Sequence, residues 1–452
     1  MSSAQDRPII VYGTGSTARM TGLALAAAQL PVILADAPPL ESADRETFEI
    51  SEKPQMADWQ SVLALSPAAK TMLETLGVWQ KLDRPSAPVC DMAVFGDTAA
   101  FAAGLGLDFA KPEKDDNAVA VLAHIICRAA LDRAIENACH SAITAGRIKR
   151  QATPLSAFDK TTGQAQFADG RNMMAALLID GARAPASWRR DHAASMLRHD
   201  YRAGALVCAL TGDTPHGNQA IQIFTPDGPL ALLPLPDPHG RALILSVPQA
   251  RAAALAEIDE NLLAYELDKA TRGQAGSLRP CTARAVQPLA LALAEHYVDE
   301  KLCLVGEAAH IIHPLAGQGF NLALRDAAQL AEALYEARRL GLAFGAPSAL
   351  DSYQKLRRAD GGVMAATTHI LAEIFSGQAK SWTRPIARLG LALSGRVTGR
   401  LAAAARLGER LRNQANGGIS HDDLPRLMRG HGFEKADFEK PNRPACALLR
   451  ST

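Results

Sequence analysis

Short apolar runs and longer alanine-rich stretches alternate along the first third of the chain. Residues 8–12 (Pro-Ile-Ile-Val-Tyr) form an apolar, β-branched run closed by Gly13, the pattern of a buried strand. Residues 14–30 are rich in alanine and leucine and predict a helix, which Pro31 ends. Residues 32–36 (Val-Ile-Leu-Ala-Asp) predict a second buried strand, which completes a β-α-β unit of the doubly wound type. A helical pattern follows over 58–82, with a break at Gly77, and residues 118–146 contain another alanine-rich helix. From about 150 to 285 the pattern changes to short alternating runs. Turn signals separate them at Asp169-Gly170, Pro226-Asp227-Gly228, Pro236-Asp237-Pro238 and His239-Gly240. This predicts an antiparallel sheet, interrupted by a helix near 248–275. Buried-strand character returns at 301–306, helices continue to about 412, and the polar last forty residues predict a weakly ordered tail over 413–452.

Composition narrows the class. At about 100–200 residues per domain, 452 residues allow two or three domains and a sizeable core. The 48 basic and 47 acidic side chains nearly cancel, which excludes a dedicated nucleic-acid binder. The seven cysteines (90, 127, 139, 208, 281, 303 and 446) form no C-x-x-C pair and are irregularly spaced. They read as free thiols in a reducing cytosol rather than as a disulfide framework or a structural zinc site. The N-terminus carries no charged-then-apolar signal segment, and no run of about 18 uncharged apolar residues occurs, so a cytoplasmic location is expected.

Two glycine-rich segments carry the candidate chemistry. The first, Gly13-Thr14-Gly15-Ser16-Thr17-Ala18, places G-x-G-x-x-G/A between a predicted strand and a predicted helix. Gly13 permits the tight turn, Gly15 lets the backbone approach a pyrophosphate, and Ala18 keeps helix and strand close. Amides at the helix N-terminus receive the phosphate charge. Asp36 closes the second strand 23 residues after Gly13, where a carboxylate accepts hydrogen bonds from an adenosine ribose. The second segment runs through Gly306-Glu307-Ala308-Ala309-His310 to His313-Pro314-Leu315-Ala316-Gly317-Gln318-Gly319-Phe320-Asn321-Leu322-Ala323-Leu324-Arg325-Asp326. It offers a carboxylate for sugar-like hydroxyls, then a helix N-terminus for developing negative charge. His310 and His313 lie three apart, but no Glu or Cys completes a ligand set, so no metal is expected.

The second segment resembles the FAD-dependent aromatic hydroxylases, whose pattern is G-D-A-A-H followed by P-x-x-G-Q-G-x-N. Residues 313–326 are similar to the ubiquinone-biosynthesis hydroxylase branch, which carries H-P-I-A-G-Q-G-L-N-L-G-L-R-D. Phe224 to Leu235, Leu65-Ser66-Pro67 with Leu76-Gly77-Val78-Trp79, and Asp180-Gly181-Ala182 extend the likeness, which covers about residues 8–412.

The resemblance implies an α/β fold: a Rossmann-like FAD-binding domain, an inserted antiparallel-sheet substrate domain and C-terminal helices. The cofactor domain would comprise 1–75, 115–182 and 284–345, the substrate domain 76–114 and 183–283, and the helices 346–412. The cofactor residues implied are Gly13, Gly15, Ala18, Asp36, Arg128, Asp180, Gly306, Glu307, Pro314, Gly317, Gln318, Gly319, Phe320 and Asn321. Glu307 would contact the ribityl chain, and Pro314 to Asn321 would lie beside the isoalloxazine ring. No further catalytic side chain is assigned, since a flavin C4a-hydroperoxide carries the chemistry.

The implied reaction hydroxylates the ring of a polyprenyl phenol or quinol. Dioxygen is the co-substrate, with electrons from NADH, NADPH or a small redox protein. A soluble phenol as substrate, and a non-catalytic scaffold in a quinone-biosynthesis complex, are the alternatives. Several positions depart from the family. Glu307 replaces aspartate, Ser61 stands where an arginine is common, and 183–190 lack the spacing Ala-x-Ser-x-x-Arg after Asp180-Gly181. Residues 375–408 carry Lys380, Arg384, Arg388, Arg396, Arg400 and Arg406 without an acid. They read either as the solvated face of a packed helix or as a peripheral contact with an anionic membrane.

Overall fold

The structure, a computed structural model, describes residues 7–36, 59–96, 121–182, 196–314 and 317–375. The expected tail at 413–452, all but the first residue of the basic stretch 375–408, and residues 183–190 lie outside the described residues.

Strand Ile9–Tyr12 is wholly buried and pairs in parallel with Val32–Ala35 on one side and Leu177–Asp180 on the other. Ile148–Gln151 and Leu302–Leu304 extend this parallel sheet at its two ends, and Val298–Asp299 adds an antiparallel edge. The sheet order follows the chain outward from Ile9–Tyr12 through Val32–Ala35 to Ile148–Gln151. It then reverses to Leu177–Asp180 and Leu302–Leu304. That reversal creates a crevice at the carboxyl ends of Ile9–Tyr12 and Leu177–Asp180, where open α/β sheets bind ligands.

Helix α1 (Ser16–Ala27) follows the first strand. Helix α2 (Pro67–Thr75) starts where the Ser66 hydroxyl accepts from the Ala69 amide and Pro67 takes the first turn. Helix α3 (Arg128–Thr144) buries Leu131, Ala134, Ile135, Ala138 and Ala142 at helical spacing. The helical pattern expected over 58–82 is therefore only partly present. Val62–Leu65 is a strand, and a 3-10 turn at Trp79–Lys81 follows Gly77. The helix expected within 118–146 is α3, and Ala123–Cys127 ahead of it is a strand. It pairs antiparallel with Val62–Leu65 and with Ala87–Val89. Tertiary pairing overrode the local helical signal at Val62–Leu65.

The expected antiparallel sheet is present and has eight strands. Its main order is His310–Ile311, Ala285–Ala294, Met196–Gly212, Gly240–Pro248, Gly228–Pro234, Gln219–Thr225 and Asp91–Gly96, with Leu278–Pro280 also paired to Met196–Gly212. One pair is parallel, Gln219–Thr225 with Asp91–Gly96, so the sheet is mixed. The helix expected near 248–275 is two helices, α4 (Gln249–Glu257) and α5 (Glu260–Thr271). Asp259 separates them because its carboxylate caps the Asn261 amide. Leu206, Leu210, Leu243, Leu245, Leu263 and Leu267 share the core under these helices. A separate antiparallel meander runs through Leu155–Asp159, Gln164–Phe167 and Asn172–Met174.

Helix α6 (Gly319–Arg339) and helix α7 (Pro347–Phe375) pack on the parallel sheet, and their buried residues join α1 and that sheet in the largest core cluster. Among the described residues no helix is long and apolar enough to cross a membrane.

One carboxyl in α6 makes stability depend on pH. Burial, and then Glu336 one turn away, push Glu332 up from 4.5 to about 8. Between these values the folded chain holds a proton that the unfolded chain has lost, so stability falls as pH rises through that window. We expect Glu332→Gln to remove this part of the decline, measured as the urea midpoint across pH 5 to about 8. An unchanged pH slope would refute it.

Candidate active site

The crevice is built from three strand ends. Tyr12 lies opposite Asp180, and Asp180 opposite Leu304, so Gly13, Gly181 and Val305 leave the sheet side by side. Glycine and alanine let helix α1 close onto these ends. A Cβ on Gly13 would lie 2.8 Å from the Ala182 Cβ, and one on Gly181 would lie 3.0 Å from the Ala18 Cα. Gly306 adopts φ +57°, and a Cβ there would lie 2.5 Å from the Thr17 Cγ2. Ala18 thus does the packing work of a third glycine.

Gly15 and Gly319 differ from these. Among the described residues, apart from chain neighbours and the glycine's own helix backbone, no atom lies within 4 Å of a Cβ built on either one. Gly15 is the N-cap of α1, Gly319 opens α6, and neither helix has a side-chain cap at its start. Both N-termini therefore present backbone amides and the positive end of a helix dipole beside open space. This is the arrangement that a pyrophosphate and an anionic ring system require.

The polar residues around the crevice are held in different ways. Asp180 is buried and its Oδ1 accepts from the Ala182 amide at 2.9 Å, which shapes the Asp-Gly turn. Asp36 sits at the end of its strand, and its Oδ2 accepts from Arg150 at 3.0 Å, a partner absent from the sequence expectation. Arg128 opens α3, bonds both oxygens of Asp132 at 3.0–3.1 Å, and lies over the Phe320 ring at 5.8 Å. The Ser16 hydroxyl donates to the same Asp132. Arg128, Phe320 and the first turn of α1 are thereby brought together. Glu307 is exposed while its neighbours Gly306 and Ala308 are buried.

The loop into α6 is fixed from both sides. Gly317 takes φ +59°, and its amide donates to the Pro314 carbonyl. The buried Asn321 side chain donates to the Ala64 carbonyl at 2.8 Å and accepts from the Ser66 amide at 3.1 Å, clamping strand Val62–Leu65. The Gln318 Oε1 lies 3.4 Å from the Asn321 Nδ2.

Below this loop Asp326 is fully buried. Its Oδ2 accepts from the Gly306 amide at 2.8 Å and the His310 Nε2 at 2.7 Å, and its Oδ1 from the Arg357 Nε at 2.7 Å. Burial opposes its charge, but His310 and Arg357 outweigh burial and hold the carboxyl down at about 2.

His313 faces the eight-stranded sheet. It is buried, its Nδ1 has no hydrogen-bond partner, and burial, then His369, lower its pKa to about 4. Its ring stands edge-on to Tyr201 at 5.0 Å. A β-bulge between Asp200 and Gly204, with Arg202 at φ +50°, turns Tyr201 to this position. The Tyr201 hydroxyl lies 3.1 Å from the His369 Nδ1.

Asp326, Arg357, Asp132, Tyr201 and His369 were not among the sequence-derived site residues. Asp326 was visible as the end of the Leu-Arg-Asp run, but nothing in the sequence paired it with Arg357.

Comparisons with known proteins agree with this geometry. Residues 180–367 match the FAD binding domain family model. The chain is 32% identical over 374 residues to ubiquinone hydroxylase UbiL of Rhodospirillum rubrum, covering 81% of this chain and 82% of that protein. It is 28% identical to the 3-demethoxyubiquinol 3-hydroxylase of Escherichia coli, covering 82% of this chain and 90% of that protein. Among solved structures, PqsL of P. aeruginosa in complex with 2-aminobenzoylacetate superposes with a TM-score of 0.63 at 19% identity. That match covers 84% of this chain and 99% of PqsL.

Three substitutions test the crevice and the residues that support it. Gly15→Val adds a side chain only to open space. We expect a folded protein, by circular dichroism, that retains FAD about ten-fold or more weakly, a loss of roughly 1.4 kcal/mol. Gly306→Ala strains a left-handed backbone and meets Thr17, so we expect a stability loss of about 1–3 kcal/mol by urea unfolding. Asp326→Ala takes from buried Arg357 its fully buried carboxylate and leaves it only Asp360, and we expect it to cost about 3–5 kcal/mol in the same assay.

Proposed function

This chain belongs to the flavoprotein hydroxylases of ubiquinone biosynthesis, and on that premise we propose that it hydroxylates the aromatic ring of a polyprenyl phenol or quinol precursor. It is an FAD-dependent oxidoreductase that uses a nicotinamide or protein electron donor and dioxygen. The observation that carries the reading is the pair of uncapped helix N-termini, at Gly15 and Gly319, opening beside one crevice. The residues present fit FAD: Gly13, Gly15 and Ala18 suit its pyrophosphate, Asp36 its adenosine ribose, and Glu307 its ribityl hydroxyls. Arg128, Asp180 and the loop from Pro314 to Asn321 complete the cradle.

Bound there, FAD supplies the activation of dioxygen and the transfer of one oxygen atom to the ring. The chain's own part is to place and enclose the reactants. The amides at the start of α6 stabilise negative charge on the ring system. Asn321 and Gly317 hold the loop at a fixed distance from strand Val62–Leu65. The sheet face that carries Tyr201 continues through Ala203, Ala205, Val207, Leu289 and Ile244. This apolar surface suits a lipophilic ring and excludes water from it. We assign contact with a membrane that stores such a substrate to the basic stretch 375–408.

The test is made on the full chain and on a deletion strain. The purified protein should take up one FAD per chain. The strain should accumulate a quinone intermediate lacking one ring oxygen. Failure to hold FAD after reconstitution would end the enzyme reading. An unaltered quinone pool with activity on water-soluble phenols would move the substrate to that class.

A further inference from the structure

A second cluster of ligand-type side chains lies beside Tyr201, with His199 and His369 both packed against its ring. His199 comes from strand Met196–Gly212, just before its bulge, and His369 and Glu373 come from α7. Four residues apart on a helix, His369 and Glu373 share one face. One potential ligand atom from each of the three residues lies within 4.8 Å of the others.

The separation of His199 and Glu373 suits two ligands of one metal ion better than a direct hydrogen bond. The His199 Nε2 and Glu373 Oε1 are 3.4 Å apart. A charge-assisted hydrogen bond runs about 2.7–2.9 Å. Two ligands at about 2.0–2.2 Å from a tetrahedral zinc ion are separated by about 3.3–3.5 Å. The two imidazole rings stand with centroids 5.0 Å apart and steeply inclined at 71°, so they do not stack on one another. The Tyr201 hydroxyl at the His369 Nδ1 fixes that ring, as outer contacts do for metal-bound histidines.

We propose that His199, His369 and Glu373 form a binding site for a divalent transition-metal ion, with zinc the best match to two imidazoles and a carboxylate. Water completes the shell on the exposed side, where His199 and Glu373 retain 43% and 50% of their side-chain exposure. The ion bridges the start of strand Met196–Gly212 to the last turns of α7. It braces the bulge that carries Tyr201 and takes no part in the oxygen chemistry. The site does not depend on the substrate assigned above.

The experiment uses tag-free, FAD-loaded full chain, stripped with a chelator and titrated with zinc chloride by calorimetry. One saturable site per chain is expected. His199→Asn and Glu373→Gln, both at exposed positions, should each weaken it by about ten-fold or more. Zinc should raise the unfolding temperature of the unaltered chain and of neither variant. Cobalt(II) should give visible absorption bands that disappear in His369→Gln. Flavin content and circular dichroism establish that each variant is folded. The proposal is overturned if zinc gives no saturable heat, or if the folded variants bind it as tightly as the unaltered chain.

Discussion

Asp326 has no exposed surface, and donors from three different parts of the chain converge on it: the Gly306 amide, the His310 ring and the Arg357 guanidinium. A charge buried this deeply is tolerable only while its partners stay in place. The turn after strand Leu302–Leu304, helix α6 and helix α7 are therefore locked to one another. Arg357 also reaches Asp360, and Arg325 reaches Asp360 from α6, which extends the lock along both helices. The open amides at Gly319 and the Asn321 clamp inherit their positions from this lock. The cradle is rigid because moving either helix would strand a charge.

The sequence revealed the cofactor side far better than the substrate side. Gly13, Gly15 and Ala18 were readable because their chemistry is local: turn, close approach and tight packing fall within six residues of one another. The reversal of strand order was not visible, since it depends on where Leu177–Asp180 inserts. The helical pattern over 58–82 misled at Val62–Leu65 because this segment pairs with Ala123–Cys127 across a long separation. No local periodicity reports such a pairing. The Asp36–Arg150 pair, the Arg128–Asp132–Ser16 group and the contact of Tyr201 with His313 are hidden for the same reason.

The substrate side depends on irregularity in a long strand. Strand Met196–Gly212 pairs with Ala285–Ala294 over most of its length, but its register shifts between Asp200 and Gly204. That shift aims Tyr201 at His313 in the loop before α6 and leaves His199 beside α7. Beyond it the strand alternates regularly, with Leu206, Cys208 and Leu210 under α4 and α5 and Ala205 and Val207 on the opposite face. Large side chains fill the covered face, and small ones line the face that continues from Tyr201.

The short segment from Leu302 to Gln318 serves both sheets. It contributes strand Leu302–Leu304 to the parallel sheet and His310–Ile311 to the eight-stranded sheet, then delivers the chain to α6. The spacing between the parallel sheet and the eight-stranded sheet is thus gauged by covalent chain length, not by surfaces free to slide. Loops on the outer parts of the eight-stranded sheet can change without altering that gauge. A fold built this way can admit rings of new size or decoration while keeping the reacting distance constant.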